Sequence, residues 1–99
     1  MNYEEKNKMD VKVKDLLPIG SVIWLRDSKH PLMIFGVKQQ NLETKQEYDY
    51  IGVLYPEGNL GGESQFMFMH KDIERVLFRG FEDESRTEFI EKLSEFYGE

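Results

Sequence analysis

His30 and His70 are the two histidines of the chain, and His70 opens the spacing His70-x-Asp72-x-Glu74. In an extended segment that spacing would bring three metal-ligating side chains to one face. Such triplets arise often by chance, and this one falls short of a complete ligand set, so a hydrogen-bonded surface histidine is the reading the residues favour. The glycine-rich run Gly58-Asn59-Leu60-Gly61-Gly62 raises the chemistry of a phosphate cradle. It lacks the Lys-Ser/Thr of a P-loop and the G-x-G-x-x-G spacing of a dinucleotide site. No G-x-S-x-G occurs, and no serine–histidine spacing identifies a nucleophile pair. The residues therefore point to no catalytic group, metal ligand set or cofactor, and the chain is expected not to be an enzyme. A small-ligand site or enzyme built on the glycine turn and His70 is kept as an alternative.

The element that presents this turn is the stretch Tyr48 to Gly62, YDYIGVLYPEGNLGG. With side chains alternating, Tyr48, Tyr50 and Leu54 point one way and Ile51, Val53 and Tyr55 the other. A strand apolar on both faces needs cover on both, which predicts a central element. Pro56 removes a ladder donor, and Gly58, Gly61 and Gly62 permit the positive φ of a tight reversal.

A chain of 99 residues fits one domain with a modest core. It has no cysteine, which excludes a disulfide framework and cysteine zinc sites and points to the cytosol. No apolar run approaches the roughly 20 residues a bilayer span needs, and the N-terminus has no signal-peptide core, so membrane insertion is not expected. The net charge is −6. From Glu82 to Glu99, seven acidic residues (Glu82, Asp83, Glu84, Glu88, Glu91, Glu95, Glu99) face only Arg86 and Lys92, so five of those six charges lie at the C-terminal end. With no basic residue between Tyr48 and Tyr55, the tyrosines there lack the cationic groove of a nucleic-acid platform, and nucleic acid is not an expected partner.

Residues 1–14 read as a flexible arm, with a short edge strand over Val11–Lys14 as the alternative; residues 15–99 read as one domain. Five strands are expected, over Ser21–Arg26, Leu32–Lys38, Tyr48–Tyr55, Gln65–His70 and Arg75–Phe81, with a single helical turn in Lys71–Glu74. Gly36 and Gly52 sit mid-strand, where glycine marks a bulge or sharp bend. Phe89, Ile90, Leu93, Phe96 and Tyr97 form one apolar helix face, with glutamates opposite, from about Ser85 to Tyr97. Ser85 with Glu88 matches a capping box, Asp83 is an equal N-cap candidate, and Gly98 suits the C-terminal stop. The fold class is α+β: a small curled antiparallel sheet, or a barrel-like roll, of about five strands with a C-terminal helix.

All the strands carry large apolar side chains in both directions, and a helix roughly 20 Å long crosses one sheet face only. Each large side chain gains about 1.5–3 kcal/mol on burial, so an uncovered cluster drives association. Either the arm, the sheet's twist and the long connection Gln39–Glu47 supply the cover, or another polypeptide does. The acidic helix stripe reads as a solvated face, or as a docking surface for a basic partner.

The strings LLPIGSVIWL, LMIFG, YDYIGVLYPEGNLG and FMFMHKDIERVLFRGFEDE with the closing helix resemble a family of small Firmicutes proteins of unknown function, numbered 4176 among such domain families. The resemblance runs from about Leu16 to Phe96. Members are commonly encoded beside Leu-x-Gly (LXG) toxins and small helical proteins of the type VIIb secretion system. It implies a cytosolic chaperone or targeting factor that binds a toxin before export, through the toxin's N-terminal helical region. Family positions present here are Pro18, Gly20, Tyr50, Gly52, Tyr55, Pro56, Glu57, Gly58 and Asn59, as candidates for fold or contact. The partner-binding residues expected are Trp24, Tyr50, Leu54, Tyr55, Asn59 and Leu60. An immunity protein that blocks a toxin domain, with the acidic helix mimicking substrate charge, is the alternative; self-association into a homodimer would satisfy the same surface.

Overall fold

The computed structural model describes residues 11–99. Five antiparallel strands form one open sheet: β1 (Val22–Leu25), β2 (Pro31–Gln40), β3 (Glu47–Leu54), β4 (Gln65–Phe68) and β5 (Ile73–Phe78), in the order β4-β3-β2-β1-β5. The sheet does not close into a barrel, because β4 and β5 are its two edges and do not pair. The curled-sheet form of the expectation holds and the barrel form does not. A bulge between Ile34 and Gly36 bends β2, as the mid-strand glycine suggested. Gly52 serves differently. A Cβ there would lie 3.3 Å from the Phe68 ring and 3.0 Å from the Met33 carbonyl, so glycine lets these neighbours close over β3.

Pairing across the sheet sorts the side chains into two faces. On one, Ile23 stands between Val76 and Leu32, and Tyr50 between Val37 and Phe68. This face carries the core, in which Val13, Leu16, Leu17, Ile23, Leu32, Ile34, Tyr50, Phe68 and Ile90 are buried together. Its cover is the segment 11–18, with a 3-10 turn at Val13–Asp15, and the helix α1 (Glu84–Phe96). The Arg86 guanidinium donates to the Leu16 carbonyl at 2.9 Å and Val13 N–H donates to Glu99 Oε1 at 2.7 Å, which fixes helix and segment side by side.

Two expectations are corrected here. The fold begins before residue 15: Val13 is fully buried and Val11 packs against the core, and Val13–Asp15 is a helical turn, so neither the flexible arm nor the edge strand describes residues 11–14. Full burial of a valine side chain is worth about 1.5–3 kcal/mol, which favours this seating over an exposed arm. The rest of the expected arm, residues 1–10, lies outside the described residues. The second correction concerns α1, which buries only Ile90, with Leu93 half-buried, while Phe89 and Phe96 face outward. Asp83 is the N-cap, accepting Arg86 N–H at 3.0 Å, and Gly98 takes the positive φ that ends the helix.

The return from β5 into α1 depends on Gly80. Its N–H donates to the buried Ser21 hydroxyl at 3.0 Å, and its Cα lies so close to Ile19 and Ser21 that a Cβ would strike the Ile19 carbonyl.

Candidate functional site

Among the described residues, no helix lies on the other sheet face. A continuous row, Phe78–Val22–Met33–Val53–Gln65, crosses all five strands. Beside it run Met67–Ile51–Gly36, with Phe35 in the bulge, and Arg75–Trp24–Pro31. Val53 and Ile51 are sheltered in the middle, Val22, Trp24, Met33 and Met67 are half-buried, and Phe35 and Phe78 are 41% and 62% exposed. Arg75 is the one charged side chain of these three rows, and its guanidinium stacks on the Trp24 ring, 5.6 Å from the centroid. At strand spacings of about 4.8 Å the face measures roughly 20 Å across and about 14 Å along the strands, a footprint on the order of 300 Å². That is at the lower end of the largest apolar patch on a typical monomer.

The six expected contact residues do not gather on one surface. Trp24 belongs to the uncovered face, and Tyr55, 48% exposed, lies next to it across Pro31, whose carbonyl accepts Tyr55 N–H at 3.0 Å. Leu54 faces the covered side and packs against the core. Asn59 is exposed, but its side-chain oxygen is spent on its own loop, accepting from Gly61 N–H and Gln65 Nε2 at 3.1 Å each. Leu60 projects freely from the tip of that loop.

Tyr50 is the clearest departure, being fully buried. Its hydroxyl accepts Leu17 N–H at 2.8 Å and shares a hydrogen bond with His70 Nδ1 at 2.7 Å, and its ring stacks on Phe68 with centroids 5.3 Å apart. Burial pushes its pKa up to about 12, opposed by the Leu17 hydrogen bond. This side chain ties β3, the covering segment and the 3-10 turn His70–Asp72 together. Sequence reasoning missed the clamp, although one signal was present: a tyrosine inside an apolar strand needs a partner for its hydroxyl.

The His70-x-Asp72-x-Glu74 triplet does not converge. His70 is turned onto Tyr50, while Asp72 folds back to accept Met69 N–H at 3.1 Å. Among the described residues no group of three histidine, aspartate or glutamate side chains is placed to hold a metal ion. Asp49, nearly buried, accepts the His70 main-chain N–H at 2.8 Å and sits 3.9 Å from Lys38, whose ammonium lies 4.7 Å over the Tyr97 ring. The glycine turn is closed by its own polar groups, with the Ser64 hydroxyl donating to the Gly61 carbonyl at 2.7 Å and accepting Leu60 N–H at 2.7 Å. No hydrogen bond among the described residues joins that turn to His70.

The model of a family described as a domain of unknown function (DUF4176) matches residues 16–89. The chain belongs to this family. No curated protein and no solved structure matches it. The span matched by the DUF4176 model holds all five strands, so both sheet faces lie within it, and it ends at Phe89 inside α1. Among the described residues no helix is long and apolar enough to cross a membrane.

Proposed function

We propose that this DUF4176 chain is a non-enzymatic, cytosolic protein-binding accessory factor whose uncovered sheet face seats another polypeptide. The observation that carries the reading is the apolar row from Phe78 to Val53 with no layer over it among the described residues. Side chains half in water on a nearly uncharged face are stabilised by a partner's apolar stripe, and Met33 and Met67 adapt to its shape. The family resemblance favours one partner, the N-terminal helical region of an LXG toxin exported by the type VIIb system, with this chain acting as chaperone or targeting factor before export. Trp24 and Tyr55 form the rim of that seat, and Leu60 extends it beyond the sheet.

Co-expression of the chain with the toxin's N-terminal region, followed by co-purification, tests the reading. The complex is expected with the wild-type chain and is lost with Met33→Lys, which sets a charge in the centre of the row. Absence of a complex with the wild-type chain removes the proposal. A second reading, immunity, is favoured by the acidic exterior of α1, which would stand in for a substrate's charge. Cells producing the toxin's catalytic domain alone separate the two, since only an immunity protein rescues them.

A further inference from the structure

On the outside of α1, Phe89 and Phe96 are seven residues apart and so project from the same side of the helix two turns from one another. They are 51% and 80% exposed. Phe96 meets the Tyr97 ring edge-on, with centroids 5.1 Å apart, and the rest of its surface, with half of Phe89, is left in water. Behind it, Glu84, Glu88, Glu91 and Glu95 follow the spacing i, i+4, i+7, i+11 and make a straight acidic stripe roughly 16 Å long. Like charges at these separations repel and weaken a helix. The other carboxylates nearby are occupied: Glu82 pairs with Arg79 and Arg86, Asp83 caps the helix, and Glu99 accepts from Val13. No ion pair among the described residues reaches Glu84, Glu88, Glu91 or Glu95.

Set in a seven-residue repeat, Phe89 and Phe96 occupy one seam position, Ser85 and Lys92 the other, and Glu88 and Glu95 the flank that faces a partner helix. We infer that this exterior of α1 is a second docking surface, and that its occupant is an amphipathic helix of another protein whose apolar seam covers Phe89 and Phe96 while its lysines or arginines meet the glutamates. Charge selects that occupant. A second copy would bring two acidic stripes together, and an acidic membrane surface would be repelled. The inference is independent of the role given to the uncovered sheet face, which lies on the other side of the sheet from α1.

The test uses the full chain and two synthetic helical peptides of about three heptads, with leucine at the seam positions and either lysine or glutamate at the flanks. Fluorescence anisotropy is expected to show binding of the lysine peptide, weakening as salt is raised, and no binding of the glutamate peptide. The double variant Phe89→Ala, Phe96→Ala is expected to lose affinity by about tenfold or more. Glu88→Gln with Glu95→Gln is expected to lose several-fold and to flatten the salt dependence. Thermal melting is expected to stay at or slightly above the wild-type temperature for the glutamine variant, which loses a repulsion. It is expected to drop modestly but stay cooperative for the phenylalanine variant, whose Phe89 is half buried. Binding is measured well below both transitions, which separates lost docking from lost fold. Failure of the lysine peptide to bind, equal binding of both peptides, or undiminished binding by the phenylalanine variant each overturns the inference. A dimer in light scattering that disappears with the phenylalanine variant overturns it as well, by naming a second copy as the occupant.

Discussion

The two faces of the sheet are built from the same kinds of residue and have different fates. Ile23, Ile34 and Tyr50 on one face lie under the segment 11–18 and α1 and are wholly buried. Val22, Met33 and Trp24 are neighbours of these residues along the same strands, yet they stay half in water because nothing described lies over them. Burial on this sheet follows from where the helix returns and from position within the sheet. Ile51 and Val53, on the interior strand β3, are sheltered even on the uncovered face, while Val76, on an edge strand of the covered face, stays 46% exposed. The covered face is also the one with polar clamps. Tyr50 bonds Leu17 and His70 there, while the uncovered face is apolar apart from Arg75 and Gln65. The covered face fixes its geometry with hydrogen bonds between segments, and among the described residues the uncovered face has no such clamp.

Substitutions separate the two faces by the size of their effect. Tyr50→Ala, on the covered face, is expected to destabilise the chain most, by about 3–5 kcal/mol, because a fully buried ring leaves a cavity. Urea unfolding measures the loss; a change smaller than about 1 kcal/mol would show that the face is not closely packed. Tyr50→Phe keeps the ring but leaves Leu17 N–H and His70 Nδ1 without their partner, at about 1–3 kcal/mol. The same pair carries a pH signature. The fold holds the Tyr50 hydroxyl neutral and raises its pKa from 10.0 to about 12, so its contribution is complete below pH 10.0 and is lost as pH climbs toward about 12. Wild-type stability should fall through that window more steeply than that of Tyr50→Phe.

Gly80→Ala tests the joint that sends the chain back over the covered face. The new methyl group would meet the Ile19 carbonyl and come within 2.9 Å of Ser21 N, so a loss of about 1–3 kcal/mol is expected in thermal melting. The smallest change in stability, below about 1 kcal/mol, is expected for Met33→Lys on the uncovered face, where the long side chain reaches water. A large loss there would mean that this face is covered within the chain after all, and would end the contrast.

Much of the architecture was legible in the residues. Alternation located β1 to β4 to within about two residues, whereas the strand expected over Arg75–Phe81 runs Ile73–Phe78 and the turn expected over Lys71–Glu74 lies at His70–Asp72. Gly36 marked the β2 bulge, and Asp83 and Gly98 marked the ends of α1, since caps and bulges are set by residue type over a few positions. The contact set was less legible. Tyr50 and Leu54 were read as surface because alternation says that two residues share a face without saying which face is covered. The burial of Val13 was hidden because its partners, α1 and the sheet, stand far along the chain.

What the sequence determined by itself was therefore local: the strands, their turns, the helix with its caps, the acidic end, and a surplus of apolar sheet surface over one helix's capacity to hide it. Tertiary structure alone decided which side of the sheet received the helix, that β4 and β5 stay apart as open edges, that Tyr50 serves as an internal clamp, and that Phe89 and Phe96 remain outside. The reason is geometric. Periodicity fixes how side chains are distributed about their own strand or helix, but the path of the chain after Gly80 and the seating of residues 11–18 are set by contacts between segments remote in sequence, and those contacts place every described covering element on one side of the sheet.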